Sequence, residues 1–209
     1  MYKRTEYISI TSFESNPTIS YAKEELSKYL IKMSNMSIHM NKASKNTTYE
    51  IILGTFKYLK INSDIKVKDS KFDDAIYINI TNGKGIISGI NPRSTLLAVY
   101  RFLAEAGCKW IRPGKDGEII PKVNIQTLSI HILEKPSYRH MGICIEGANS
   151  NKNVLDIIEW MPKAGFNSYF IQFREAYTFY ERWYNQKRIL LKNQKCLQLK
   201  KQGNMYQMH

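Results

Sequence analysis

Ile86-Ile87-Ser88-Gly89-Ile90-Asn91-Pro92-Arg93-Ser94-Thr95-Leu96-Leu97-Ala98-Val99-Tyr100-Arg101-Phe102-Leu103 is the stretch on which the fold turns. It passes from a β-branched run to a helix within a few residues. Asn91 can cap a helix through its side-chain oxygen, and Pro92 suits the first helical position, where the N–H it lacks would be unpaired anyway. Leu96, Val99, Tyr100, Leu103 and Ala106 then recur at helical spacing, and Gly107 suits the left-handed position that closes a helix. Just upstream, Asn82-Gly83-Lys84-Gly85 separates two apolar runs, at 75–80 and 86–89, which is a strong hairpin signal.

Working outward toward the N-terminus, 7–10 reads as a strand and Asn16-Pro17-Thr18 as a break. Ile19, Ala22, Leu26, Tyr29, Leu30 and Met33 predict an amphipathic helix, with Lys23, Glu24, Glu25 and Lys28 on a solvated face. Ile38 and Met40 suggest a short strand. A clearer strand spans 49–53, ended by Gly54, and 60–71 is polar and reads as a loop. Toward the C-terminus, 108–111 returns as a strand, Arg112-Pro113-Gly114 turns away, and 123–133 is a last strand region closed by Lys135-Pro136. Strands interleaved with two one-sided helices predict an α+β fold, a sheet with helices packed on one face.

After Pro136 the pattern changes. A buried strand is expected over 139–145, a loop over 147–152, and a helix over 154–164 with Leu155, Ile158 and Met161 inward. Gly165 ends that helix, and 169–173 reads as a second buried strand. A strand–helix–strand unit implies parallel pairing with a right-handed crossover. The expected organisation is an α/β accessory domain over 1–135, one βαβ unit of an incomplete (β/α)8 barrel over 136–185, and a basic tail over 186–209.

Composition is globular, with 43% hydrophobic and 23% charged residues. The formal charge of +13 invites a nucleic-acid reading, but its distribution weakens that reading. No acidic residue follows Glu181, whereas Arg182, Lys187, Arg188, Lys192, Lys195, Lys200 and Lys201 do. Part of the excess is therefore a basic block, and neither nucleic acid nor membrane is the expected partner. No segment reaches membrane-spanning length, and the first residues lack the apolar run of a signal peptide. The chain as written is expected in the cytoplasm, and an exported parent stays compatible. Cys108, Cys144 and Cys196 form no CxxC pair, and the first two sit in apolar patterns that predict burial. His39, His131, His140 and His209 are scattered, so neither metal nor cofactor is expected. The Gly83-Lys84-Gly85 turn lacks phosphate-loop spacing.

Three stretches carry a family resemblance: 87–103 as quoted above; Ala106-Gly107-Cys108-Lys109-Trp110-Ile111-Arg112-Pro113-Gly114 with Gly117-Glu118-Ile119-Ile120-Pro121; and Pro136-Ser137-Tyr138-Arg139-His140-Met141-Gly142. Together they resemble the N-terminal domain of bacterial α-glucuronidases and the related non-catalytic domain preceding the barrel of β-N-acetylhexosaminidases. The resemblance covers roughly residues 5–180. It implies a glycoside hydrolase context in which the chemistry belongs to a following (β/α)8 barrel. Such a barrel takes about 250 residues, more than this whole chain of 209. The family's catalytic carboxylates come from later strands with no matching positions here, so no catalytic residue is assigned.

Weak candidates for sugar contacts remain. Glu146 and Glu175 each follow a predicted barrel strand, on the side where barrel active sites form. The resemblance lets Arg139 bind sugar hydroxyls in an intact enzyme; the competing reading makes Arg139 and Glu146 ordinary loop and strand-end contacts. Tyr177 and Trp183 belong to an aromatic run, Tyr177 to Tyr184, that could stack on sugar or could be the core face of a helix. Carbohydrate is the expected partner of the intact parent, and the exposed barrel fragment offers a route to self-association. The tail from about Gln186 reads as a frameshifted or early-ended continuation. Three functions are compatible: a non-catalytic glycoside hydrolase module, an autonomous carbohydrate-binding domain, and a nucleic-acid-binding protein using the basic tail.

Overall fold

A computed structural model describes residues 7–34, 37–40, 49–146, 151–172, 181–182 and 184–185. The strands and helices run β1 (Tyr7–Thr11), α1 (Pro17–Ser34), β2 (Ser37–Met40), β3 (Tyr49–Thr55), α2 (Phe56–Leu59), β4 (Ile76–Thr81), β5 (Lys84–Gly89), α3 (Pro92–Glu105), β6 (Lys109–Trp110), β7 (Glu118–Ile119), β8 (Ile130–Glu134), β9 (Gly142–Glu146), α4 (Asn151–Trp160) and β10 (Ser168–Gln172). Two compact units emerge: Met1–Gly142 with Leu155–Ser168, and Ile143–Val154 with Tyr169–His209. The segment expected as a barrel start is thus shared between them.

The first unit is built on a six-stranded mixed sheet in the order β2-β1-β3-β5-β4-β8. The first four strands in that order run parallel, whereas β4 is antiparallel to both β5 and β8. The alternation in the sequence explains which side is covered. Ile8, Ile10, Ile51, Leu53, Ile78, Ile80 and Ile87 join one core with Leu26, Leu30 and Met33 of α1 and Val99, Phe102 and Leu103 of α3. Burying each such side chain is worth about 1.5–3 kcal/mol. On the opposite face Asn79, His131 and Leu133 are exposed, and Asn79 meets His131 Nδ1 at 2.8 Å. The two long helices α1 and α3 therefore share one face, while the short α2 meets the other side of β3 through Leu59 beside Gly54, and the fold is mixed α and β as the sequence pattern predicts.

Local signals explain the joints. Asn82 and Gly83 both take positive φ, 50° and 72°, the backbone a two-residue hairpin turn of this hand requires. Asn91 Oδ1 accepts the Ser94 N–H at 2.9 Å, which caps α3 as expected. Gly89 admits no side chain: a Cβ there would stand 2.1 Å from the Thr95 nitrogen.

Several expectations need correction. Glu25 is not on a solvated face; it is buried and accepts from the Tyr100 hydroxyl at 2.8 Å. Within 123–133 only Ile130–Glu134 is strand, because a 3-10 turn at Ile125–Thr127 interrupts the run. Cys108 is buried, but Cys144 is exposed. Helix α4 begins at Asn151, inside the expected loop, and its buried face is Val154, Ile157 and Met161. Leu155 and Ile158 point outward instead, 49% and 47% exposed. Two apolar stripes one residue apart satisfy the same periodicity, and the one through Val154 and Ile157 is the one that is buried. β9 and β10 pair in a separate two-stranded sheet, and Phe170 of β10 is 61% exposed rather than buried as its composition suggests. Among the described residues no helix is long and apolar enough to cross a membrane.

Candidate functional site

The motif 88–95 builds a polar node at the start of α3. Asp74, which directly precedes the β4 region, is buried there. Its carboxylate accepts from Arg93 Nε at 3.0 Å and Ser94 Oγ at 2.7 Å, and from Asn167 Nδ2 at 2.7 Å. Asn91 Nδ2 donates to the carbonyls of Ser70 and Asp73 at 3.1 and 2.9 Å, while Ser88 and Thr95 hydroxyls both donate to the Gly54 carbonyl. Each polar residue of the motif is thus spent on fastening the 69–74 loop and the end of β3 to α3. The Asn-Pro-Arg sequence is a structural fastening, in agreement with its capping signal.

Beside this node lies an open cleft of about 530 Å3, lined by Lys66, Val67, Lys68, Asp73, Asp74 and the segment 135–139. Arg139 stands at its edge. Its Nε donates to Asp73 Oδ1 at 2.6 Å, and its guanidinium carbon lies 6.0 Å from the Phe72 ring centre. The hydrogen bond from Arg139 is the main reason the Asp73 carboxyl is held below the usual carboxylate range. Lys135 Nζ donates to the Lys66 carbonyl at 2.8 Å, joining the two walls. Tyr138 is 75% exposed at the rim. On the other side of the 135–138 segment a second cleft of about 480 Å3 is more apolar, with Ile76, Leu97, Pro136 and Met141 in its wall.

The chemistry open to the first cleft follows from its charges. Glycoside hydrolysis generally needs one carboxyl that can hold a proton and one that stays ionised. Both aspartates here are committed to arginine, Asp73 to Arg139 and Asp74 to Arg93. The two carboxylates in the cleft wall are thus each engaged by a guanidinium.

Of the predicted site residues, Arg139 is the one whose side chain is described, and it is bound to a loop carboxylate. Glu146 ends β9, with its side chain outside the described residues; Glu175, Tyr177 and Trp183 also lie outside them. The alternation Lys66-Val67-Lys68 and the tandem Asp73-Asp74 were the available signals for the cleft, but a polar loop does not reveal its partner 135–139 from sequence. Among the described residues no three His, Cys, Asp or Glu side chains gather to hold a metal.

A second polar cluster joins α1, β7 and the 3-10 turn after α4. Glu118 Oε1 accepts from the Tyr29 hydroxyl at 2.5 Å and from Lys163 Nζ at 3.1 Å. Trp110 Nε1 donates to the same tyrosine oxygen at 3.0 Å, and Trp160 Nε1 donates to the Trp110 carbonyl at 2.8 Å. The Lys163 side chain is 5% exposed, so this charge is held by carboxylates rather than by water. Burial alone would raise the Glu118 carboxyl, but the hydrogen bonds from Tyr29 and Lys163 outweigh it and hold the group below its ordinary value.

This fold occurs in solved glycoside hydrolases. A GH138 enzyme targeting pectin rhamnogalacturonan II matches with a TM-score of 0.51 at 12% identity, over 79% of this chain and 24% of its own. CpGH84D matches with a TM-score of 0.50 at 16% identity, over 80% of this chain and 27% of its own. The chain therefore spans about a quarter of the length of each of these proteins. No family model and no curated protein matches the sequence.

Proposed function

We infer that the chain is a non-catalytic module of a carbohydrate-active glycoside hydrolase, of α-glucuronidase or β-hexosaminidase type, and is inactive alone. The observation that carries this reading is the pairing of a shared fold with a cleft whose two aspartates are both neutralised by arginine. In the parent enzyme, Glu146 and Glu175 would face the sugar from barrel strand ends, with Tyr177 and Trp183 as stacking surfaces. The motif 88–95 supports the module rather than the chemistry, since its polar atoms are consumed in fastening α3.

Purified protein assayed on aryl glycosides and glucuronoxylan fragments tests this. No turnover is expected, and specific activity that stays constant through successive purification steps would overturn the reading. Translation of the DNA downstream in all three frames adds a separate check: further strand–helix units are expected in one of them, and their absence from every frame would count against a barrel parent.

A further inference from the structure

We propose that the cleft between the 66–74 loop and the 135–139 segment is a binding site for an anionic saccharide, one bearing a carboxylate. The proposal rests on the carbohydrate-module reading and adds a place and a charge to it.

Three observations lead there. The first is size: about 530 Å3 lies within the roughly 300–1,000 Å3 typical of small-ligand sites. The second is unspent positive charge. Asp74 is committed to Arg93 and Ser94, and Asp73 to Arg139, so neither wall aspartate offers its charge to a newcomer. Lys66 and Lys68 are both exposed and form no ion pair among the described residues. Their ammonium groups give the cleft a net positive field, which draws an anion. The third is the rim. Tyr138 lines the cleft and keeps 75% of its surface exposed. An exposed ring beside unpaired cations matches a ligand with an apolar face and a carboxylate, and an acidic sugar ring has both.

The walls are also fixed in advance. Lys135 bridges to the Lys66 carbonyl, and Arg139 bridges to Asp73, so the two sides are tied at both contacts before a ligand arrives. A site held in its bound geometry loses less to ordering on binding. A single-stranded nucleic acid is the competing anion. It would prefer a groove with successive aromatic platforms, whereas Tyr138 is the aromatic residue that lines this cleft.

Calorimetric titration of the full chain with a trisaccharide of galacturonic acid, its methyl ester, and a short single-stranded DNA tests the proposal. The acid form is expected to bind, and the uncharged ester to bind at least about tenfold more weakly. The double variant Lys66→Ala/Lys68→Ala, and separately Tyr138→Ala, should each weaken the acid form about tenfold at unchanged melting temperature. Lys66→Arg/Lys68→Arg should retain binding. Equal binding of acid and ester overturns the proposal, as does no binding of the acid, or DNA binding in preference to it. Binding of the acid form that ignores these substitutions removes the cleft but leaves the carbohydrate module standing. Hydrolysis of the trisaccharide by the chain removes the non-catalytic reading but leaves the cleft.

Discussion

Asn167 donates its side-chain amide to Asp74 Oδ2 over 2.7 Å, joining positions 93 residues apart in the chain. The same nitrogen donates to the Arg139 carbonyl at 2.8 Å, and Asn167 Oδ1 accepts the Met141 N–H at 2.9 Å. One side chain thus fastens the approach to β9 and the approach to β10 onto the start of α3. Asp74 is the centre of this arrangement, because it also satisfies Arg93 and Ser94. Asp74→Ala takes one acceptor from each of three side chains, one of them charged, leaving Asn167 the Arg139 carbonyl and Ser94 the Asn91 side chain. Hydrogen bonds to a charged group are worth about 1.5–3 kcal/mol, and the arginine left behind is partly exposed and keeps the Phe72 carbonyl, so the loss falls in that range. The midpoint of urea unfolding should fall accordingly. A change below about 0.5 kcal/mol, the level of an ordinary surface substitution, would show that Asp74 is not the centre of the node.

Glu118 and Lys163 set an acid limit and an alkaline limit. The folded Glu118 carboxyl lies below its unfolded value, near 4.3 for a free glutamate. Its contribution is therefore present above that unfolded value and is lost as pH falls through the lower folded one. Lys163 shifts upward: burial would lower it, but hydrogen bonds to Glu118 and Glu159 outweigh that. Its contribution is full below the unfolded value, about 10.4, and is lost as pH rises through the higher folded one. Unfolding free energy measured from the acid to the alkaline limit should have shoulders in both windows. Glu118→Gln should flatten the acid shoulder and cost about 1–3 kcal/mol at neutral pH, since Lys163 then keeps only the more exposed of its two carboxylates, Glu159. An acid shoulder of unchanged depth in the variant would place the titration elsewhere.

The two cysteines in the described residues should differ in chemistry. Burial pushes the Cys108 thiol up to about 12, with the Glu118 carboxylate adding to the shift and Lys32 opposing it. Thiolate is the reactive form, so native Cys108 should resist alkylation. Cys144 is exposed and should be accessible to reagent. Peptide mapping after iodoacetamide treatment at mildly alkaline pH is expected to find Cys144 modified within minutes and Cys108 modified only after denaturation. Equal labelling of both in the native state would contradict the buried position of Cys108.

The sequence carried the first unit well because its signals are local. Alternation places Ile8, Ile10, Ile51 and Leu53 without knowledge of their neighbours, and Asn91 with Pro92 announces a helix start by its own chemistry. The candidate site was less legible, for a physical reason. Lys66, Asp73, Tyr138 and Arg139 become a cleft only when two segments some 66 positions apart are brought together by the Arg139–Asp73 pair. No periodicity records such a meeting. Glu25 shows the same limit at the scale of one residue. A carboxylate on a helix reads as solvated until Tyr100, 75 positions on, is found donating to it.

Helix α4 gives the sharpest test of a face chosen by contact rather than by pattern. Both Leu155/Ile158 and Ile157/Met161 have apolar spacing, and the structure buries the second pair at 6% and 5% exposure. Ile157→Ala should therefore cost about 2–4 kcal/mol, through lost transfer energy and the cavity left behind. Leu155→Ala removes a similar number of methylenes from a half-exposed position and should cost less than about 1 kcal/mol. The Met161→Leu change conserves volume and should stay under about 1.5 kcal/mol. These are read as shifts in thermal or urea midpoints of the whole chain. The informative comparison is the ratio of the first two losses, since both substitutions lie on the same helix and share its propensity. If Leu155→Ala proved as damaging as Ile157→Ala, the helix would be rotated from the orientation described, toward the face its spacing first suggests.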